Sequence, residues 1–148
     1  MRHYSHRFQV LAPLESVAEF HRDSRAFKHL TPPPLFVSFN TVEPLAEGSV
    51  ADFIMWLGPL PIHWVATHSE VDPMQGFTDS QTIGPFDVWV HRHSFESIDG
   101  NTTTVIDQIQ AKPRDHLFGG IVSRFMWLTL PLLFAYRARQ TGRALKRK

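Results

Sequence analysis

The sequence predicts an α+β fold with the element order β-α-α-β6-α, in which a curved antiparallel sheet wraps around a long C-terminal helix. From Leu35 to Ala111 the apolar residues alternate with period two, in segments separated by short turn sequences. After Asp115 they recur at steps of three and four residues, which is helical periodicity. Because strands joined by short links form an antiparallel meander, the sheet is expected to curl over the final helix.

The first third of the chain predicts one strand and two short helices. Residues 3–10 alternate and form a half-buried strand. Pro13 suits the first turn of a helix, and Ser24 is predicted to cap a second short helix that runs to Leu30. The run Pro32-Pro33-Pro34 ends that helix, since proline lacks a backbone donor.

Six further strands are separated by glycine, proline, asparagine and aspartate residues that favour turns. No repeat or low-complexity segment interrupts them, so residues 1–148 are expected to form a single domain. The predicted strands are Leu35–Val42, Val50–Leu57, Ile62–Val71, Phe77–Ile83, Phe86–Ile98 and Thr102–Ala111.

The C-terminal helix is predicted to begin at an Asp115 cap and to be apolar over so much of its circumference that the curved sheet must cover it from more than one side. Pro131 removes a backbone donor, which predicts a kink or break near Trp127. The kink is either a packing accommodation or a bend that leaves room for a ligand. The predicted buried stripe consists of Phe118, Ile121, Val122, Phe125, Leu128, Leu132 and Tyr136.

Charge is unevenly distributed along the chain. Residues 137–148 hold six Lys/Arg and no acid, whereas residues 1–136 hold nine Lys/Arg against fourteen Asp/Glu, a net charge of −5. The acidic body argues against a nucleic-acid-binding surface. The basic tail is either a solvated helix end or a peripheral contact with acidic lipid headgroups or a partner.

Several function classes lose support from what the sequence lacks. It has no cysteine, no glycine-rich phosphate loop, no Gly-x-Ser-x-Gly elbow and no His-Glu-x-x-His motif. Nucleotide enzymes and common hydrolases are therefore disfavoured, and no cofactor is predicted. Phe125–Tyr136 is too short to span a bilayer, and no signal-peptide-like run is present, so a cytoplasmic protein is expected.

The strand Phe86–Ile98 carries the side chains most suggestive of chemistry. A three-residue loop, Asp99–Asn101, would set His93 opposite Asp107 on the next strand. A two-residue loop would shift the register by one residue and set Asp107 opposite Arg92 on the other face. We prefer the first register because it buries the apolar neighbours on both strands together. One face of the strand then presents Trp89, His91, His93 and Phe95.

The predicted pair of His93 and Asp107 has three interpretations: a structural bridge that fixes the register, a ligand-orienting pair, or a general acid/base pair. With His91 the pair also has the composition of a metal triad, but no further ligand can be identified, so no metal site is predicted. Asp79 is either a strand-edge charge or a second inward-facing acid. Four histidines are predicted to lie at the surface or near a terminus: His3, His21, His29 and His116.

A broader pattern emerges from the element order together with several short segments. These segments are Leu30-Thr31-Pro32-Pro33, Gly84-Pro85-Phe86, Trp89-x-His91-x-His93-x-Phe95 with Asp107, and Phe134-x-Tyr136-Arg137. The chain resembles the helix-grip fold of the START-like, or SRPBCC, superfamily, in its bacterial polyketide cyclase/dehydratase and lipid-transport-like branch. This branch offers no single catalytic signature that can be matched here.

The resemblance implies an apolar cavity between the sheet and the C-terminal helix. It favours binding, transport or sequestration of a small hydrophobic ligand such as a lipid, isoprenoid or polyketide. One alternative is a cyclase or dehydratase, a lyase, that uses His93 and Asp107. Another is a membrane- or partner-docking module that uses the apolar helix and residues 137–148. The expected cavity residues are Phe53, Trp64, Trp89, His91, His93, Val105, Asp107, Phe125, Leu128 and Leu132.

Overall fold

The computed structural model describes residues 1–146 apart from the side chain of Ser24, so Arg147 and Lys148 of the predicted basic tail lie outside it. The strands are β1 (Arg2–Val10), β2 (Phe36–Val42), β3 (Val50–Leu57), β4 (Leu60–Asp72), β5 (Gly76–Ile83), β6 (Phe86–Asp99) and β7 (Thr102–Pro113). The helices are α1 (Leu14–Arg22), a 3-10 helix (Ser24–Lys28), α2 (Leu117–Leu128) and α3 (Leu130–Lys146).

All seven strands form one antiparallel sheet in the order β1-β7-β6-β5-β4-β3-β2. Phe134 and Leu130 of α3 are almost fully buried and pack in one cluster with Trp64 and Trp89 of the sheet. The curved sheet around a long C-terminal helix confirms the predicted α+β class. A second cluster joins α1 to β6, β7 and the end of α3.

The β6–β7 register matches the prediction, although the turn differs. His93 lies opposite Asp107 as expected. The turn has two residues, because Asp99 pairs with Thr102, and a bulge between Ser97 and Asp99 absorbs the extra residue. A short turn combined with a bulge thus gives the register that a longer loop was predicted to give.

Both predicted helix caps are wrong by one residue. His116, not Asp115, precedes α2 with extended backbone angles, and its Nδ1 accepts a hydrogen bond from the Gly119 N–H. Asp23, not Ser24, precedes the 3-10 helix and accepts from the Arg25 N–H. In each case the residue with extended backbone is the one whose side chain can turn back to the free amides.

The predicted break near Trp127 is confirmed. α2 ends at Leu128, α3 begins at Leu130, and the two helices are bent by 50°. Pro131 has no N–H to donate to the carbonyl of Trp127, four residues earlier. The Thr129 hydroxyl donates to the carbonyls of Phe125 and Met126 at 3.1 and 3.0 Å, so these two carbonyl groups have a hydrogen-bond donor at the break.

The predicted buried stripe on the C-terminal helix is wrong for most of its residues. Of the predicted stripe on α2 only Val122 is buried, and it lies with Gly120 and Ser123 on the side that faces the sheet. A Cβ on Gly120 would crowd the carbonyl oxygen of Arg114, and the Ser123 hydroxyl accepts from the Arg114 N–H, so α2 approaches the end of β7 through small residues. Five members of the predicted stripe are exposed and are called the outer stripe below: Phe118, Ile121, Phe125, Leu128 and Leu132.

Within residues 1–146, no single helix has the length and apolar character needed to cross a membrane. Only the bent pair of α2 and α3 meets those criteria when the two are taken together.

Candidate functional site

A cavity of about 610 Å³ lies between the inner face of the sheet and the helices. Binding cavities for small molecules typically measure about 300–1,000 Å³, so it is large enough for an organic ligand. Phe125 and Leu132 line it and are also 52% and 75% exposed, which indicates that it opens beside the outer stripe. The bend between α2 and α3 contributes Met126, Thr129 and Leu133 to the wall.

Seven of the ten side chains predicted from the sequence line this cavity: Phe53, Trp64, Trp89, His91, His93, Phe125 and Leu132. The other three lie elsewhere. Val105 packs in the second cluster with Phe95, and Asp107 lies behind the two histidines rather than in the wall. Leu128 is 74% exposed, because α2 is rotated relative to the predicted orientation.

Four polar side chains form a compact group at the cavity wall: Asp79, His91, His93 and Asp107, called the His–Asp cluster below. Nε2 of His91 lies 2.8 Å from Oδ1 of Asp107, and Nε2 of His93 lies 2.6 Å from Oδ2 of Asp79. Longer contacts of 3.4 Å, from His93 Nδ1 to Asp107 Oδ1, and 3.7 Å, from His91 Nδ1 to Asp79 Oδ2, close the cluster. Each histidine is therefore held between two carboxylates.

The sheet positions this cluster. Asp79 of β5 pairs with His91 of β6, and His93 pairs with Asp107 of β7. β5 comes close to β6 because Gly76 adopts φ +132° and has no side chain; a Cβ there would collide with the carbonyl oxygen of His93. Asp79 is thus the second inward-facing acid that the sequence left open.

Comparison with known proteins identifies the architecture. No protein-family model matches the chain, and no curated protein matches it. Among solved structures, the Zhui aromatase/cyclase from a Streptomyces species is similar over 99% of this chain and 94% of its own, with 15% identity and a TM-score of 0.79. A START superfamily protein from Mycobacterium smegmatis is similar over 98% and 97% of the two chains, with 12% identity and a TM-score of 0.70.

The fold is START-like. A third structure, the di-domain ARO/CYC BexL, matches 95% of this chain and 46% of its own length, with 17% identity and a TM-score of 0.69. At these identities the similarity establishes the helix-grip architecture, and the chemistry of the cavity has to be argued from this chain's own residues.

Of the two histidines in the His–Asp cluster, His93 is the one that more readily carries a positive charge. Burial opposes its protonation, but the contacts with Asp107 and Asp79 outweigh that effect and raise the pKa of His93 to about 9. Burial likewise opposes ionisation of Asp107, yet its contacts with His91 and His93 hold the pKa of this carboxyl well below its usual range. The cluster therefore contains an imidazolium between two carboxylates at neutral pH.

His91 has the opposite tendency. Burial and the neighbouring His93 charge lower the pKa of His91 despite its hydrogen bond to Asp107. A neutral His91 that donates from Nε2 to Asp107 carries a free lone pair on Nδ1, on the side of Asp79. The two histidines are thus distinct in charge although their ring centroids are only 3.8 Å apart.

Sequence reasoning also missed His21, His68 and Arg137, whose polar side chains line the cavity. His21 was predicted at the surface, which is wrong; its Nδ1 contacts the Val17 carbonyl, and burial lowers the pKa of His21 to about 4. The spacing of four residues from the buried Val17 on an amphipathic helix was the signal available for it. Arg137 donates to the Leu30 carbonyl and lies over the rings of Phe27 and Phe134.

The arrangement combines a largely apolar chamber with a concentrated set of charged and polar groups in its wall. Hydrophobic and aromatic walls stabilise the apolar part of a ligand by removing it from water. The His–Asp cluster and Arg137 can form hydrogen bonds with an oxygen-bearing group on the same ligand. The site is therefore suited to an amphipathic small molecule.

Proposed function

We propose that residues 1–148 form a single START-like domain that binds a small hydrophobic molecule bearing a polar oxygen group, for transport or sequestration in the cytoplasm. The observation that carries this proposal is the cavity of about 610 Å³ with its apolar walls and His–Asp cluster. Lipids, isoprenoids and polyketides share this combination of apolar bulk and oxygen groups. The similarity of fold to a START superfamily protein adds support at the level of architecture.

Binding can be tested with the fluorescent apolar probe N-phenyl-1-naphthylamine. Ala66 is buried in the cavity wall, so Ala66→Phe should fill the cavity and reduce probe affinity at least about tenfold. Thr67 follows on β4 and points to the other face of the sheet, so Thr67→Phe adds the same ring outside the cavity and should leave binding unchanged. Equal probe binding by wild type and Ala66→Phe would contradict the proposal.

A second candidate is a cyclase or dehydratase, favoured by the protonated His93 in the cavity wall. An imidazolium can act as a general acid towards an oxygen atom of a bound polyketide. Asp107 lies behind the histidines, so we propose that it positions them rather than contacting substrate. The Zhui aromatase/cyclase shares this architecture, which makes the reaction class a reasonable one to test.

The two candidates separate in one experiment with a polyketide-like β-hydroxyketone. If His93→Gln keeps probe binding but abolishes conversion of this compound by the wild-type protein, the enzyme interpretation holds. If the wild type does not convert such compounds but protects them from extraction by liposomes, the binding interpretation holds. Thr67→Phe again serves as the variant expected to change neither result.

We further propose that the outer stripe brings the cavity opening to an anionic membrane surface. The sequence suggested a docking module that uses the apolar helix and residues 137–148; the outer stripe supplies the exposed apolar residues of that helix. Helices α2 and α3 contain five Lys/Arg and no acidic residue. Leu132, Arg139, Arg143 and Lys146 recur at steps of seven, four and three, so the apolar stripe continues into a basic one on the same face of α3.

Vesicle flotation tests this contact. Wild type should float with phosphatidylcholine vesicles that contain phosphatidylglycerol, and less with phosphatidylcholine alone. Ile121→Ser with Leu128→Ser should abolish flotation, whereas Ile98→Ser, at an exposed apolar position distant in sequence, should not. A dimer that the double variant disrupts, without any flotation of the wild type, would show that a second copy covers the stripe and would contradict the membrane proposal.

A further inference from the structure

Three side chains of the His–Asp cluster bring potential metal-ligand atoms close together. Asp79, His91 and His93 each offer one ligand atom, and these atoms all lie within 4.8 Å of one another. In a tetrahedral site with bonds of about 2.1 Å, ligand atoms are roughly 3.4 Å apart. The separations from Asp79 Oδ2 to His93 Nε2 and to His91 Nδ1, 2.6 and 3.7 Å, lie on either side of that value.

In each histidine, the ring nitrogen that is not a candidate ligand contacts a carboxylate. Asp107 contacts Nε2 of His91 at 2.8 Å and Nδ1 of His93 at 3.4 Å. Histidines that bind metals usually have their other ring nitrogen fixed by a carboxylate or carbonyl, which orients the ring and selects the tautomer. Asp107 is buried and does not line the cavity, so it serves both rings from behind.

The three candidate ligands all line the cavity, so the site is open on that side. A closed structural metal site, in contrast, is surrounded by protein. They sit on adjacent strands, with Asp79 directly paired to His91, so the backbone spacing is set by the sheet. Two imidazoles and one carboxylate suit zinc or ferrous iron and do not suit magnesium or calcium, which prefer oxygen ligands.

We propose that Asp79, His91 and His93 bind one divalent transition-metal ion, with Zn²⁺ as the probe, in the wall of the cavity; the ion takes the place of the proton on Nε2 of His93, which is released to solvent. Asp107 orients both imidazole rings without touching the ion. The remaining coordination position faces the cavity, where it can accept an oxygen atom of a bound molecule. Because metal binding can be measured without any organic ligand, this proposal stands or falls separately from the proposed function.

The test uses tag-free protein stripped with EDTA, titrated with Zn²⁺ by calorimetry and with Co²⁺ by visible absorption. Wild type should bind one ion per chain, and Co²⁺ should show the strong visible bands of a low-coordinate nitrogen and oxygen site. Asp79→Asn, which keeps the side-chain volume, and His93→Gln should each weaken binding by more than about 100-fold. Asp107→Asn should weaken it by about 10- to 100-fold.

His63→Gln is the matched control, because His63 belongs to an exposed histidine–aspartate pair on the same sheet. It should bind Zn²⁺ like the wild type. Circular dichroism and probe binding show whether each variant is folded. If the cluster variants fail to fold, the ring ¹⁵N signals of wild-type His91 and His93 decide: the proposal requires Zn²⁺ to shift both at one equivalent.

Three results would overturn the proposal. The first is a wild type that takes up no stoichiometric Zn²⁺ or Co²⁺. The second is a folded Asp79→Asn variant with wild-type affinity. The third is loss of the ion in His63→Gln, which would assign the binding to the surface pair.

Discussion

Two histidine–carboxylate arrangements on one sheet differ in their surroundings more than in their geometry. Nε2 of His63 lies 2.7 Å from Oδ1 of Asp52, with 47% and 31% of the two side chains exposed. Nε2 of His91 lies 2.8 Å from Oδ1 of Asp107, with only 4% and 8% exposed. Equal hydrogen-bond lengths therefore do not imply equal roles.

The comparison indicates that burial, rather than hydrogen-bond geometry, makes a histidine–carboxylate pair a candidate functional group. Water solvates the exposed pair, and screening makes its mutual attraction weak. The buried pair has lost that water, so each group depends on its protein partners, and its proton affinity departs from the ordinary value. Only the buried pair belongs to a cluster that meets a cavity.

Removal of the buried carboxylate should have the largest effect. Asp107→Ala removes one of the two carboxylates that contact both His91 and His93 in a poorly solvated region, and we expect the free energy of unfolding to fall by about 3–5 kcal/mol. Urea unfolding measures the change. Asp52→Ala, at the exposed pair, should move the urea midpoint far less, and equal losses in the two variants would refute the comparison.

Forcing β5 away from β6 should have the next largest effect. In Gly76→Ala the new methyl group collides with the His93 carbonyl at a backbone angle that alanine avoids, and we expect a loss of about 3 kcal/mol. Gly58 also has positive φ, 61°, but open space around it, so Gly58→Ala should lose only about 1 kcal/mol. Thermal unfolding compares the two, and a smaller loss at Gly76 would show that the strand approach is not constrained.

The pH dependence of stability should show a smaller effect that is specific to the buried group. The folded-state pKa of His93, about 9, lies above its ordinary value near 6.5, so protonated His93 stabilises the fold fully below about pH 6.5. That contribution should be lost as pH rises through about 9. Urea unfolding from pH 6 to 10 should therefore show a decline in wild type that His93→Gln reduces. Parallel curves would mean that His93 is not the group responsible.

The smallest change is expected at the exposed pair itself. His63→Gln removes a solvated partner of Asp52, so the unfolding midpoint and probe affinity should both stay within experimental error of the wild type. A clear fall in either quantity would mean that the surface pair is coupled to the cavity.

Much of the fold followed from short-range patterns in the sequence. Alternation located six strands after Leu35 to within two residues, because one face of each strand is buried and the other is not. The register of His93 with Asp107 was predictable for the same reason, although the bulge after Ser97 was not. Pro131 predicted the helix break because the missing donor is a local property.

The rotation of α2 and the membership of the site depended on contacts between distant segments. Phe118 and Phe125 have the periodicity of a buried stripe, yet the helix turns Gly120 and Ser123 inwards. Only small residues allow α2 to approach the backbone of Arg114 so closely, and this determines the orientation of the helix more than apolar area does. Asp79 became inward-facing through pairing with β6, and Arg137 reached the cavity through Leu30, 107 residues away in sequence. The open volume depends on the packing of all these side chains together.

Native mass spectrometry of freshly purified protein tests the central claim, that the cavity between sheet and helix holds a hydrophobic molecule. We predict that wild type and Thr67→Phe carry a bound species of small-molecule mass, extractable into organic solvent, at no more than one per chain. Ala66→Phe should carry none. A wild-type chain free of any such species before and after exposure to fatty acids, or an Ala66→Phe variant that carries it equally, would contradict the account.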